Sequence, residues 1–305
     1  MSGSRHARPT DGGTRPADVA ARPAGGKSRP ADGLEVLHLV KDFRLRKGFR
    51  FSTLHAVQDV SLRIEPGRTV ALVGESGSGK STIARILAKL ETPTAGEVRL
   101  DGETTAFRGS QAHYRRQVQM VFQDPFASLN PFHSIAHHIE RPLKLHHPEL
   151  SAVELRQRTV ELLERVSLGA QYLTRRPHEL SGGQRQRVAI ARALAPGARF
   201  IIADEPVSML DVSIRVGVLN LLAELQRADG LGVLYITHDL ATARHFSDEI
   251  MVMLRGEIVE RGPADQVILD PQHPYTASLR EAAADPERLG QLRDEVRAEA
   301  AEGAR

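Results

Sequence analysis

Apolar and polar residues alternate in distinct registers along the chain. Leu34-Glu35-Val36-Leu37-His38-Leu39-Val40 reads as a strand, and residues 57–64 continue in kind, with Val60, Leu62 and Ile64 set between polar neighbours. That period of two is expected of a strand with one buried face. Pro66-Gly67 marks a turn, and Thr69-Val70-Ala71-Leu72-Val73 then runs without a break in apolarity. Such a strand suits a sheet covered on both faces. Ile83, Ile86, Leu87 and Leu90 follow at helical spacing and predict a helix over 81–90. Strand patterns disappear between 131 and 180, where Ser151 and Glu154 predict a capping box opening a helix with Val160, Leu163 and Val166 on one stripe. Thereafter the pattern predicts helix 184–195, strand 200–203, helix 213–227, strand 233–236, helix 240–246 and a hairpin of 250–254 with 257–260 across Arg255-Gly256. Alternation of this kind indicates an α/β fold with a parallel sheet. Past Pro271 the chain turns charged and alanine-rich, which predicts a peripheral helical extension over 271–305 with a frayed end.

Residues 1–33 are rich in Pro, Gly, Ala and Arg and predict a disordered tail, since they bury too little apolar surface to offset ordering entropy. The whole net charge of +3 resides there, where six Arg and Lys outnumber three Asp. The neutral remainder argues against a nucleic-acid-binding face. Cysteine is absent, which excludes disulfides and thiolate metal sites. No apolar run approaches the ~20 residues that span a bilayer, so the expectation is a soluble, cytoplasmic chain.

Gly74-Glu75-Ser76-Gly77-Ser78-Gly79-Lys80-Ser81 sits between the apolar strand and the helix that follows. A glycine-rich turn there lets successive N–H groups face an anion at a helix N-terminus. Lys80 is placed to reach β and γ phosphate oxygens, and the Ser81 hydroxyl to ligate Mg²⁺. Gly74, Ser76, Gly77, Ser78, Gly79, Lys80, Ser81 and Thr82 form the candidate ATP-binding set. Phe200-Ile201-Ile202-Ala203 ends in Asp204 and Glu205. Two adjacent acids closing a buried strand are hard to explain as structure, because an unpaired buried carboxylate is costly. Asp204 is the candidate Mg²⁺ ligand, and Glu205 the group that polarises an attacking water.

Leu180-Ser181-Gly182-Gly183-Gln184-Arg185-Gln186-Arg187 lies between these two halves. With it, residues 34–275 resemble the nucleotide-binding subunit of an ATP-binding-cassette (ABC) transporter. The resemblance implies a P-loop NTPase core over 34–270, with a β-rich N-terminal subdomain and a helical insertion at about 131–180. It also implies that Gln123, after Val118-Gln119-Met120-Val121-Phe122, contacts Mg²⁺ and water, and that His238, after Leu234-Tyr235-Ile236-Thr237, contacts the γ-phosphate. Phe43 fits the family's adenine-stacking position, with Phe49 and Phe51 as competitors beside what reads as an inserted loop before Val57.

Ser181, Gly182, Gly183 and Gln184 open a helix, a second phosphate-seeking terminus in a chain that already has one. The family's head-to-tail dimer explains it: each ATP is held between one phosphate loop and the opposite signature. Ser208-Met209-Leu210-Asp211 resembles the segment crossing that interface, with Asp211 retained and Met209 where alanine is usual. The partners so implied are a second ATPase subunit, identical or homologous, transmembrane permease subunits and, through them, a substrate-binding protein. The place so implied is the inner face of the membrane.

Phe122-Gln123-Asp124-Pro125-Phe126-Ala127-Ser128-Leu129-Asn130-Pro131 and Pro271-Gln272-His273-Pro274-Tyr275-Thr276 resemble importer subunits for oligopeptides, dipeptides and nickel, although some sugar importers share them. Some of these importers carry a cysteine-ligated cluster in the C-terminal extension, which this chain cannot. A soluble cassette ATPase acting on nucleic acid or ribosomes is the alternative. It is disfavoured by the absence of long coiled coils or a second cassette. His133, His137, His138, His146 and His147 invite a metal reading, but no acidic or thiolate partners complete a ligand set. A solvated helical face is expected instead.

Overall fold

The structure, a computed structural model, describes residues 32–48 and 50–284. Leu34–Lys47 (β1) and Arg50–Ile64 (β2) form one long antiparallel hairpin. The loop expected before Val57 is instead the outer half of β2, paired with β1 from Lys47 opposite Arg50 to Lys41 opposite Val57. Its pattern hid the strand because Leu45, Phe51 and Leu54 are all exposed there. Backbone pairing sustains this stretch without a buried face. Phe49 and the tail through residue 31 lie outside the described residues.

Thr69–Val73 (β3) leads through the glycine loop into Lys80–Leu87 (α1). Ala95–Leu100 (β4) and Glu103–Thr104 (β5) join the hairpin in a four-stranded antiparallel sheet of order β2-β1-β4-β5. Ala112–Gln117 (α2) precedes Val118–Val121 (β6). Pro125–Ser128 (α3), Ile135–His146 (α4) and Ala152–Arg165 (α5) follow, with two 3-10 turns at Ala170–Tyr172 and Pro177–Glu179. The predicted capping box opens α5, with Ser151 and Glu154 bonded reciprocally. Gly182–Leu194 (α6), Phe200–Asp204 (β7), Val212–Asp229 (α7), Gly232–Thr237 (β8), Leu240–Phe246 (α8), Glu249–Leu254 (β9), Glu257–Pro263 (β10), Ala264–Leu269 (α9) and Pro274–Ala284 (α10) complete the described chain.

The second sheet has the order β10-β9-β3-β8-β7-β6, parallel except for β10. Its central strands are covered on both faces, as their unbroken apolarity requires. Ala71, Val73, Ile201, Ala203, Val233 and Tyr235 join one core with residues of α4–α10. Val70, Leu72, Phe200, Ile202, Leu234 and Ile236 join another with α1 and the antiparallel sheet. The extension is not peripheral over its described part, because Tyr275 and Leu279 of α10 are members of the first core. An apolar stripe spaced at helical intervals was obscured there by alanine and charge. Among the described residues no helix is long and apolar enough to cross a membrane.

Candidate active site

Four neighbouring parallel strands, β3, β8, β7 and β6, end on one edge of the sheet, and each delivers one motif there. Val73 pairs with Thr237, Ile236 with Asp204, and Ala203 with Val121. The glycine loop, His238, Glu205 and Gln123 follow directly, at the strand ends where α/β sheets place ligand-binding groups.

In the glycine loop, Gly79 is the N-cap of α1, at φ 112 and with no side chain to occupy the first-turn amides. A Cβ there would stand 2.2 Å from the Ala56 carbonyl oxygen, so both the left-handed backbone and the close approach of β2 demand glycine. Ser76 and Gly77 are exposed, Gly74 and Ser78 buried, and Thr82 half-buried in the first turn of α1. The buried Lys80 ammonium donates to the carbonyls of Gly74 and Glu75, both at 2.7 Å, and lies 3.3 Å from the Ser78 hydroxyl. Burial pulls its pKa down to about 8 against the opposing pull of Glu205, Asp204 and Glu75. An incoming polyanion would favour the charged form.

Ser81 Oγ donates to Asp204 Oδ1 at 3.2 Å. Burial, with Glu205 adding to it, raises the Asp204 pKa. A hydroxyl and a desolvated carboxylate converging beside the glycine loop are the hard oxygen donors that Mg²⁺ takes, so the residues fit that ion and a triphosphate together.

Glu205 gathers the other two candidates. Gln123 Nε2 donates to Oε2 at 2.9 Å, and His238 Nδ1 lies 3.3 Å from Oε1. The His238 contact is the largest influence holding the Glu205 pKa below the usual carboxylate range. Its backbone is left-handed, at φ 45, which is uncommon for a residue with a Cβ. That conformation is held from both sides. The Glu205 N–H donates to the Ile236 carbonyl at 2.9 Å, and its own carbonyl accepts from the Ser208 N–H at 3.2 Å and hydroxyl at 3.1 Å. Backbone strain clamped in this way is found at sites where a side chain must point in one direction. Ser208, which the sequence places only in an interface segment, thus also supports the Glu205 backbone.

Phe43 is half-buried in β1, opposite Leu54 and close along β2 to the Ala56 that abuts Gly79, with the Lys41 ammonium 4.8 Å from its ring. Phe51 lies farther out and is 72% exposed.

Ser181 caps α6 in a reciprocal box with Gln184, whose Nε2 also donates to the Tyr172 hydroxyl at 2.9 Å. Gly182 faces Leu210, and a Cβ on Gly183 would stand 2.5 Å from Ile214. The signature glycines therefore also let α6 pack against the start of α7. Asp211, the N-cap of α7, is exposed and makes no side-chain cap bond, and Met209 is 54% exposed.

The histidines are not uniformly solvated. His138 is buried with Nε2 3.0 Å from the Asn130 carbonyl, and His147 is buried with Nε2 3.2 Å from that of Pro196. The rings of His133 and His137 stack at 4.0 Å. Among the described residues no group of three His, Cys, Asp or Glu could hold a metal.

The ABC transporter family model matches residues 57–208. The oligopeptide transport ATP-binding protein OppF of Bacillus subtilis (strain 168) is 48% identical over 83% of this chain and 83% of its own. The chain belongs to the ABC transporter family. The dipeptide transport ATP-binding protein DppF of Escherichia coli (strain K12) is 43% identical over 82% of this chain and 75% of its own. Among solved structures, the dimeric post-hydrolysis state of the ATP-binding cassette MJ0796 bound to ADP and Pi superposes with a TM-score of 0.67. It is 33% identical and covers 76% of this chain and 98% of that one. This member of the ABC family is accordingly an ATPase with a P-loop core.

Proposed function

We propose that this chain hydrolyses ATP to energise import of oligopeptides or dipeptides, and that Glu205 is the water-polarising group. The observation carrying this reading is the convergence of Gln123 and His238 on the two oxygens of one carboxylate. A carboxylate kept ionised and fixed in direction is suited to orient a water and accept its developing proton. Lys80 and the loop amides would hold the phosphates at the N-terminus of α1. Ser81, Asp204 and the side-chain oxygen of Gln123 would hold Mg²⁺, which supplies neutralisation of phosphate charge. His238 stands at the end of β8 to meet the γ-phosphate, and Phe43 beside the loop to stack on adenine.

The exposed N-terminus of α6 is read as completing the site of a second cassette, identical or homologous, with Asp211 and Met209 at the shared surface. Substrate class rests on the oligopeptide and dipeptide names of relatives together with the segments at 122–131 and 271–276. Permease subunits would then hold the chain at the inner face of the membrane, with a substrate-binding protein acting through them.

The permease would meet the surface that follows Gln123 in the chain. Phe132 is 80% and Phe126 54% exposed, the latter under the Arg185 guanidinium at 3.9 Å. Exposed aromatics are where interface energy concentrates. Phe132→Ala and Phe126→Ala are expected to melt normally and keep basal ATPase activity within about a fewfold of wild type. Membrane association and uptake of labelled peptide into vesicles carrying the whole transporter should both fall. Full uptake by a folded variant rules out this docking surface, and failure of the intact transporter to take up peptides on ATP addition rules out the substrate class.

A further inference from the structure

The segment Pro271-Gln272-His273-Pro274-Tyr275-Thr276 has no task in the reading above beyond marking a subfamily. In the fold it is fastened to β10. The Glu260 carboxylate accepts the N–H groups of Gln272 at 2.8 Å and His273 at 3.1 Å, and the Tyr275 N–H donates to His273 Nδ1 at 3.1 Å. Pro274 opens α10, where its fixed φ is preorganised for the first turn. The ring of Tyr275 is thereby seated in the core at 7% exposure, and its hydroxyl meets the phosphate loop, accepting the Glu75 N–H at 3.2 Å.

Glu75 is gripped on its other side as well. Its carbonyl accepts from Lys80 Nζ at 2.7 Å and from the Ser78 N–H at 3.2 Å. A second C-terminal contact reinforces the loop, with the Gly256 N–H of the β9–β10 turn donating to the Ser78 carbonyl at 2.9 Å. Burial, with the nearby Glu75 charge, pushes the Tyr275 phenol up to about 12, so it stays a neutral hydroxyl across the physiological range.

We propose that Tyr275 is a positioning residue for the phosphate loop: its hydroxyl fixes the Glu75 peptide and, through that peptide's carbonyl, the seat of the Lys80 ammonium. The proposal deepens the ATP-site reading and rests on it. A loop of glycine and serine has many backbone conformations open to it, and a ligand that must order it binds more weakly than one meeting a preformed cradle. Removing the hydroxyl takes from the half-buried Glu75 N–H the acceptor that fixes its peptide, while water can still reach the group. Because the loop is ordered on binding rather than at the chemical step, the effect belongs in KM and not in kcat.

Tyr275→Phe keeps the ring in the core and deletes only the acceptor. With ATP and Mg²⁺ it is expected to raise KM for ATP about three- to tenfold, with kcat within about twofold and the melting temperature close to wild type. Faster hydrogen exchange in the peptide containing Glu75 should accompany it. Glu260→Ala, which unfastens the segment from β10 and leaves Tyr275 intact, should shift KM in the same direction and decides the matter if Tyr275→Phe fails to fold. Lys80→Ala serves as the control for the site itself. A wild-type KM in Tyr275→Phe beside a Lys80→Ala protein that has lost ATP binding overturns the brace alone. So does a fall in kcat with KM unchanged. Wild-type ATP binding by Lys80→Ala overturns the site reading and the brace with it.

Discussion

Glu205→Gln is expected to lower ATP turnover by about 10² or more while ATP binding persists, the scale for losing a positioned general base. That factor corresponds to about 2.7 kcal/mol of barrier. The amide keeps the volume of the side chain and can still meet Gln123 and His238, which now touch the two carboxylate oxygens at 2.9 and 3.3 Å. The backbone clamp on Glu205 from Ile236 and Ser208 is untouched. What disappears is the negative charge aimed at the water. Binding should persist because the hydrogen bonds seating Lys80 go to main-chain groups and Ser78, none of them to the Glu205 carboxylate. Lys80→Ala should show the opposite pattern, with affinity itself weakened. Phosphate release at saturating ATP, set beside a nucleotide titration, separates the two. Near-normal turnover in Glu205→Gln would remove this residue from the chemistry.

The second large effect is on assembly. With ATP and Mg²⁺, the Glu205→Gln protein should dimerise, with itself or with its partner ATPase, because bound nucleotide is no longer consumed. Adding Ser181→Arg should abolish that dimer while each monomer still binds ATP. Ser181 is exposed at the N-terminus of α6, its hydroxyl accepting the Gln184 backbone N–H. Arginine there removes the cap and places bulk where a partner's phosphate must approach. Loss of an N-cap costs about 1 kcal/mol, too little to unfold α6, whose Val188, Ile190 and Ala191 are fully buried. Sedimentation velocity with and without ATP reads the result directly. Unchanged sedimentation of the double variant counts against a nucleotide shared between two chains.

Much of this site was legible along the chain, and the parts that were share a property. The phosphate loop, the acidic strand end and the signature are each contiguous, so their chemistry is written within a few residues. Phe126 and Phe132 are visible along the chain only as aromatics, and the structure alone shows that both are exposed. The outer half of β2 was missed because its alternation has no buried face to report, and the buried His138 and His147 because a histidine in a helix or at its end says nothing of the carbonyl it will meet. Ser208 and Tyr275 escaped for a further reason: each acts on the backbone of another residue, and such a contact leaves no mark in side-chain pattern.

Local periodicity thus determined the element types, because burial on one face or two imposes a repeat of 2, of 3.6 or of unbroken apolarity on the residues themselves. It determined equally that a strand, a glycine loop and a helix occur in that order, which is all that an anion cradle needs. Only the tertiary structure decided the strand order β3-β8-β7-β6, which brings Gln123 to Glu205 across 82 residues and sets His238 on the opposite oxygen. It alone carried Tyr275 to Glu75 across 200 residues. Sheet order and docking of a distant helix depend on which buried faces fit together, and no single stretch of chain contains both halves of that fit.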